Sequence, residues 1–524
     1  MRIARGAMAL AAGLALADAS VVVLALPAML IDLGTSVTGV AAVIGVYTLV
    51  LALALRPAAA VVRRVDPAYV GGLAAAAFAV TCAGCGLAPN LPVLVVFRAG
   101  QGLAAAGVLI AAFAVLQAGA ERSAGRLWTA TAIVGAAVGP ALGGAITELL
   151  DWRAIFFVQA PIMALAALAV FLSGRQQRGP AYAVDNPAPL DADQPSAGQP
   201  SAGRRAGLAA CLGLLSAALT GVLFLLVLLL VSGWALSPLR GAAAVSVLPV
   251  AALLGTGLHE WSSRRLDPDG WMRALAGCLL VGAGVAALGI LPVDDVRMTI
   301  APQIIAGIGM GLALPALGGT LLPERTVMQS ASVLIARHLG ITVALIALAP
   351  LLSANLDDAV ISGRLDGAAL ILDAPLTSKE KISVAASAAG SFTSVAPRKD
   401  LRDALAGSRG GVAKDDRPAY DDLRHAVDGM LVATVDRSFR PAFFIGGGFA
   451  VLAALGVAAL ATGASARVRR VTAAGTVAAL VIGGAMLGGQ AALAAGKHRS
   501  RCNWPIRARS GTCPMPRRPA RSTR

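Results

Sequence analysis

Two charged side chains stand where charge is costly. Asp18 lies near the middle of an apolar run from 7 to 31, and Arg98 lies inside another run from 91 to 118. At 1.5 Å rise per residue, Arg98 is about 10 Å deep in a bilayer-crossing helix. A carboxylate at the centre of a span costs about 2.5–3.5 kcal/mol on insertion scales, so such groups face a cavity or a partner and mark ion or substrate paths. Asp18 can take up a proton, contact a cationic substrate, or act as a hydrogen-bonding strut between helices. Arg98 can govern proton release through its charge, or brace neighbouring helices through carboxylates and backbone carbonyls.

A third string carries no charge. Gly135, Gly139 and Gly143 recur every four residues along GAAVGPALGG, which ends at Gly144. Such spacing aligns small residues on one helix face and lets another backbone come close. Pro140 adds a kink. The face is either simple packing or a bendable, leak-tight seam between two halves of the molecule.

Arg337 and His338 are secondary candidates, side by side near the cytoplasmic end of a later apolar run. Histidine titrates near neutrality, and a long Arg near a helix end snorkels to the interface. Glu148 sits close to a span end, within reach of solvent. Cys82 and Cys85 form a CxxC inside an apolar helix with no His or carboxylate nearby, which reads as packing rather than as a zinc site. Cys502 and Cys513 can pair if the tail reaches an oxidising compartment. The sequence has no phosphate-binding loop, no cluster of His and carboxylates in the apolar runs and no nucleophile elbow, so an enzyme is not supported. No cofactor or metal is implied, and an ion gradient is the expected energy source.

The elements that must hold these residues are membrane helices. Of 524 residues 57% are hydrophobic and 14% charged, with a mean hydropathy of +0.75, far too apolar for a soluble globule. A span needs about 20 predominantly apolar residues, and the alternation of a β-barrel is absent, so the expected fold is all-α and polytopic. Spans are expected near 7–31, 38–56, 69–88, 91–118, 127–149 and 154–173. Arg2 and Arg5 precede the first, which continues past the signal-peptidase-like Ala17-Asp18-Ala19 and therefore reads as an uncleaved helix. Arg56, Arg63 and Arg64 fall in the second gap, Arg122 and Arg126 in the fourth, which puts the N-terminus in the cytoplasm. The formal charge of +16 follows this loop pattern and the basic tail. No nucleic-acid-binding signature accompanies it, and the expected surroundings are a lipid bilayer.

The chain divides at a Pro-, Asp- and Gln-rich linker, 174–205, too polar to fold alone. Residues 1–173 form an N-terminal bundle of six helices. Residues 206–353 supply the first five helices of a second bundle, with runs near 206–232, 239–258, 272–291, 298–322 and 329–353. A large external loop (354–440) precedes a twelfth helix (441–463). Within it Leu423, Val427, Leu431 and Val435 fall at helical spacing, which predicts an amphipathic helix. A thirteenth apolar helix is expected within 464–495, then a basic tail (496–524). Ser36 and Gly39 echo Ser237 and Gly241, and Gly102 and Gly107 echo Gly307 and Gly311. A spacing near 200 residues implies two pseudo-symmetric six-helix repeats.

Taken together these strings resemble the major facilitator superfamily, and within it the bacterial drug:proton antiporters. Asp18-Ala19-Ser20 with Ala25-Leu26-Pro27 is similar to that group's first-helix motif. Arg98 with Gln101-Gly102 resembles its fourth-helix motif, Gly135–Gly144 its fifth-helix antiporter motif, and Trp152-Arg153 through Phe156, Phe157 and Pro161 the start of its sixth helix. The likeness continues through SPLRGAA, GIGMGLALP and ARHLG in the second half. The resemblance implies proton or cation coupling at Asp18 and Arg98, conformational exchange at the glycine motif, and efflux of a small-molecule substrate against protons across a bacterial plasma membrane. It also shows departures: Val23 and Gln159 replace usual asparagines, and Ala58–Asp66 carries Arg63 near an expected acid and lacks a glycine. An importer of the same fold remains open, as does a transport-impaired receptor or envelope-assembly partner acting through the external loop.

Overall fold

The computed structural model describes residues 2–117, 139–175, 201–265, 270–291, 295–322, 325–389 and 397–461. Gly135, most of the linker, the thirteenth helix expected at 464–495 and the basic tail lie outside the described residues. Among the described residues all regular structure is helical. The first half contains α1 (Arg2–Val23), α2 (Leu26–Asp32), α3 (Val37–Val62), α4 (Pro67–Gly86), α5 (Leu91–Gln117), α6 (139–149) and α7 (Ala154–Arg175). The second contains α8 (Ala202–Val227), α9 (Pro238–Val245), α10 (Val247–Arg265), α11 (Trp271–Leu288), α12 (Ile300–Leu321), α13 (Val327–Asp373), α14 (Ser378–Ala389), α15 (Pro397–Ser408) and α16 (Arg417–Leu460). A π-helical stretch, Leu228–Gly233, prolongs α8.

Eleven helical segments among the described residues are long and apolar enough to cross a membrane. Their outward faces are apolar too: Val80, Leu103 and Ile346 are 69%, 61% and 67% exposed. Large contiguous apolar surface is solvated by lipid rather than water, whereas Met8, Phe78, Phe224 and Phe443 are fully interior.

The two halves repeat the same local devices. Ser36 caps α3 by accepting from the Gly39 amide at 3.2 Å, and Ser237 caps α9 by accepting from the Arg240 amide at 3.4 Å. Such caps satisfy orphan donors at a helix start. A side chain at Gly102 of α5 would collide with the Tyr47 carbonyl of α3, and one at Gly307 of α12 with the Leu248 carbonyl of α10. Gly143 of α6 presses on the Val21 carbonyl of α1, as Gly340 of α13 presses on Gly213 of α8. Matching close approaches at matching places give a pseudo-symmetric pair of bundles. Between α2 and α3 the chain reverses through Gly34 at φ +55°, a left-handed conformation that favours glycine.

The eleventh crossing does not end where hydropathy falls. α13 continues past 353 to Asp373, and α16 begins at Arg417, well before 441. Asp357, Asp358, Arg364 and Asp366 close the apolar run without breaking the helix, because charged residues end a membrane span and not a hydrogen-bond ladder. The amphipathic stretch at Leu423, Val427, Leu431 and Val435 is part of α16, and all four residues are buried. They pack with Val384, Leu401, Leu405 and Val412 into a helical cap.

Polar contacts pin this cap. The Glu380 carboxylate accepts from the Thr377 hydroxyl (2.6 Å), the Thr377 amide (3.0 Å) and the Ala413 amide (2.8 Å). Arg398 and Arg402 both grip Asp428, and Arg398 Nη1 donates to the Trp234 carbonyl at 3.2 Å. The Thr377 hydroxyl, with those amides, holds the Glu380 carboxyl below its usual range. Stabilisation from a depressed carboxylate is present above its unfolded value and lost as pH falls through the folded one. Glu380→Gln is therefore expected to lower the hydrogen-exchange protection of the 378–389 amides at pH 7, and acidification below about pH 4 to lower it in the unaltered protein, each relative to the intrinsic exchange rate at that pH. Unchanged protection in both experiments would show the carboxylate to be irrelevant to the cap.

Candidate functional site

Asp18 of α1 and Arg98 of α5 meet in the interior of the first half. Both side chains are fully buried, and Arg98 Nη1 donates to Asp18 Oδ2 at 2.6 Å. The same nitrogen donates to Gln101 Oε1 at 2.6 Å, one turn along α5, and Gln101 Nε2 returns a longer bond to Asp18 Oδ1 at 3.3 Å. Arg98 Nε donates to the Val43 carbonyl of α3 at 3.0 Å. Two facing glycines make this possible: Gly102 lets α5 lie against α3, and Gly143 lets α6 lie against α1.

Aromatic rings and thiols close the site. The guanidinium carbon lies 4.2 Å from the centroid of the Tyr47 ring and 5.9 Å from that of Phe156, a cation–π arrangement strengthened by exclusion of water. Tyr47 donates its hydroxyl to the Ala15 carbonyl at 2.8 Å. Gln101 Nε2 lies 3.0 Å from Cys82 Sγ, and Cys85 Sγ lies 3.7 Å from Gln101 Oε1. The CxxC of α4 thus lines the charged pair.

Chemically, the pair is neutral as a unit. An ionised Asp18 accepts from two donors while Arg98 spends its Nη1 hydrogens on Asp18 and Gln101. Arg98 Nη2 is buried and has no hydrogen-bond partner, a departure from the satisfaction expected of interior polar groups. Breaking the pair by neutralising either member leaves the other as an uncompensated buried charge, worth about 3–5 kcal/mol.

The glycine motif lies at two interfaces. A β-carbon at Gly139 would overlap the Ser20 hydroxyl of α1, and one at Gly144 would overlap Ala242 and the Pro238 carbonyl of α9, in the other half. Pro140 is buried at the described start of α6. Glu148 reaches further across: its Oε2 accepts from the Leu239 amide, in the first turn of α9, at 2.7 Å. On the same side, Asp32 accepts from Trp152 Nε1 at 3.1 Å and from Arg153 Nη1 at 2.6 Å. The Arg153 bond, followed by that of Trp152, holds the Asp32 carboxyl below its usual range.

Arg337 and His338 are on α13, which packs against α3 and α8. His338 is buried and its Nδ1 donates to the Leu334 carbonyl at 2.8 Å, the only direction open to a carbonyl acceptor. One turn on, Thr342 bonds Thr48 of α3 at 3.0 Å across the halves. Arg337 is partly buried and does not join the Asp18–Arg98 pair. Gln101 and Tyr47 were not singled out as site residues from sequence; the position of Gln101 one turn from Arg98 was the available signal, whereas Tyr47 is brought in by tertiary packing alone.

Residues 8–345 match the family model described as the Major Facilitator Superfamily. The chain belongs to that superfamily. Facilitator proteins are transporters rather than enzymes, and the apolar helices of this one make it a multi-pass membrane protein. It is similar to the multidrug resistance protein Stp of Mycobacterium tuberculosis, 31% identical over 161 residues, which are 30% of this chain and 29% of Stp. It is also similar to the puromycin resistance protein pur8 of Streptomyces alboniger, 37% identical over 183 residues, covering 33% of this chain and 36% of pur8. These alignments span about a third of each relative's length. Among solved structures, a bacterial homologue of the human lysosomal transporter Spinster, in an inward-facing and occupied conformation, superposes with a TM-score of 0.60 at 17% identity. That superposition covers 86% of this chain and 96% of the other, a likeness of fold.

Proposed function

We propose that this facilitator is a proton-coupled exporter of hydrophobic or amphipathic small molecules in a bacterial plasma membrane, with its N-terminus in the cytoplasm. The observation that carries the reading is the buried Asp18–Arg98 pair, 2.6 Å apart and isolated from solvent. A carboxylate so placed is an intramembrane ionisable group, and such groups serve ion and proton pathways. Protonation of Asp18 frees Arg98 and changes the relative energy of the inward- and outward-open states, and a gradient drives transport only through such a difference. The glycine contacts of α6 with α1 and α9 supply a close seam on which two bundles rock about a central passage. The drug-resistance names of the relatives support efflux of amphipathic compounds.

The test is reconstitution into vesicles with an imposed pH gradient, following lipophilic cations and neutral amphiphiles. Proton-driven movement outward with respect to the cytoplasmic face supports the exporter, and substrate accumulation in the opposite sense supports an importer. A second reading, a receptor or envelope-assembly partner, draws on the helical cap pinned to Trp234 by Arg398. Folded protein that moves none of the panel would favour it.

A further inference from the structure

We propose that Arg337 docks the head group of a monoanionic amphiphile, a carboxylate on an apolar tail, in the passage between the halves. This inference rests on the exporter reading and names its substrate class.

Arg337 lies about 15 Å along the helix axis from Val327, the first residue of α13, and within its apolar stretch. Its direction follows from its helix. Leu339, Val343 and Ile346 are exposed and mark the lipid-facing side of α13, while Leu334, Ile341, Ala344 and Leu348 are buried. At 3.6 residues per turn Arg337 shares the buried side. The helix itself touches both halves, since Gly340 presses on Gly213 of α8 and Thr342 bonds Thr48 of α3.

Arg98 and Arg337 differ in their partners. Arg98 has Asp18, Gln101 and the Val43 carbonyl. Arg337 makes no hydrogen bond or ion pair among the described residues, and His338 beside it turns its Nδ1 to its own helix. Because Asp18 and Arg98 cancel, Arg337 sets the charge of the inward face of α13 at one positive unit.

An uncompensated guanidinium at this depth is unfavourable until an anion joins it. One carboxylate matches it in charge and in geometry, through two parallel N–H···O bonds. A dianion would leave a net negative charge in the same low-dielectric space, and a cation would add a second positive one. Leu334 and Ile341, on the same face and buried in this state, would supply an apolar wall for a tail as the halves part. The anion has two sources, a transported acid or the head group of an anionic lipid, and the proposal commits to the transported acid.

The test uses the full chain in phosphatidylcholine nanodiscs, with no gradient, and titrates dodecanoate, dodecanamide and dodecyltrimethylammonium while reading tryptophan fluorescence. Dodecanoate is expected to bind about tenfold more tightly than dodecanamide, with Arg337→Gln abolishing the preference and Arg337→Lys retaining about a third of it. Equal affinities in the unaltered protein, or a preference that survives Arg337→Gln, would overturn the proposal. If Arg337→Gln does not fold, the Lys variant decides, and a full preference there overturns it equally. Phosphatidylglycerol discs separate the sources. Competition that removes dodecanoate binding only when Arg337 is present would assign the residue to lipid and sink the transported-acid claim. Arg337-dependent binding without any proton-driven flux would instead remove the exporter reading and leave the site standing.

Discussion

Asp18→Asn is expected to reduce proton-driven flux by at least about 100-fold, to the level of protein-free vesicles, because the substitution keeps the shape of the side chain and removes the charge that pairs with Arg98. Asn cannot be protonated in a cycle, so the gradient loses its handle on the conformational equilibrium. The same change strands the Arg98 guanidinium, which is fully buried and already carries an unpartnered Nη2. A fall in stability of about 3–5 kcal/mol should accompany the loss of flux, read as a lowered melting temperature in detergent. A flux defect could then be a folding defect in disguise. The double variant Asp18→Asn with Arg98→Gln separates the two, since it removes both charges. Its melting temperature is expected to recover most of the loss while its flux stays at background. Full flux in Asp18→Asn would remove Asp18 from the coupling mechanism; recovered flux in the double variant would reduce the pair to a structural brace.

Much of this arrangement was legible residue by residue, and little of it pair by pair. Apolar run length gave the helices, since lipid demands complete backbone hydrogen bonding within each span. Asp18 and Arg98 announced themselves by the cost of their charges. Their union needed the packing of α1 on α5, with partners 80 residues apart in sequence, and periodicity carries no information at that range. Gln101 sat in a readable motif, yet its bonds to Asp18 and Cys82 depend on the approach of three helices. Hydropathy also misplaced the ends of helices that leave the membrane. At Asp357, Asp358 and Asp366 it registered departure from lipid, while the backbone of α13 continued as helix to Asp373. The repeat of glycines could be seen, but which helix each one faces could not.

That difference in facing gives adjacent glycines opposite consequences. A β-carbon at Gly143 would strike the Val21 carbonyl of α1, within the same bundle, whereas one at Gly144 would strike Ala242 and the Pro238 carbonyl of α9, in the other bundle. Backbone atoms cannot swing aside as side chains do, so Gly143→Leu must push α6 from α1 and disturb the helix that carries Asp18. It is expected to destabilise the fold by about 1–3 kcal/mol, the usual cost of overpacking a tight interior. Gly144→Leu leaves that bundle intact and wedges the seam between bundles. Its melting temperature should stay close to that of the unaltered protein while flux falls at least about 30-fold, because the population of the state with α6 closed on α9 shifts by about 2 kcal/mol or more. Labelling of a cysteine placed at Leu239, beside the Glu148 contact, reads the seam directly: faster labelling in Gly144→Leu means it has opened. Equal losses of stability and flux in both variants would mean that the motif is packing throughout, with no seam between moving parts.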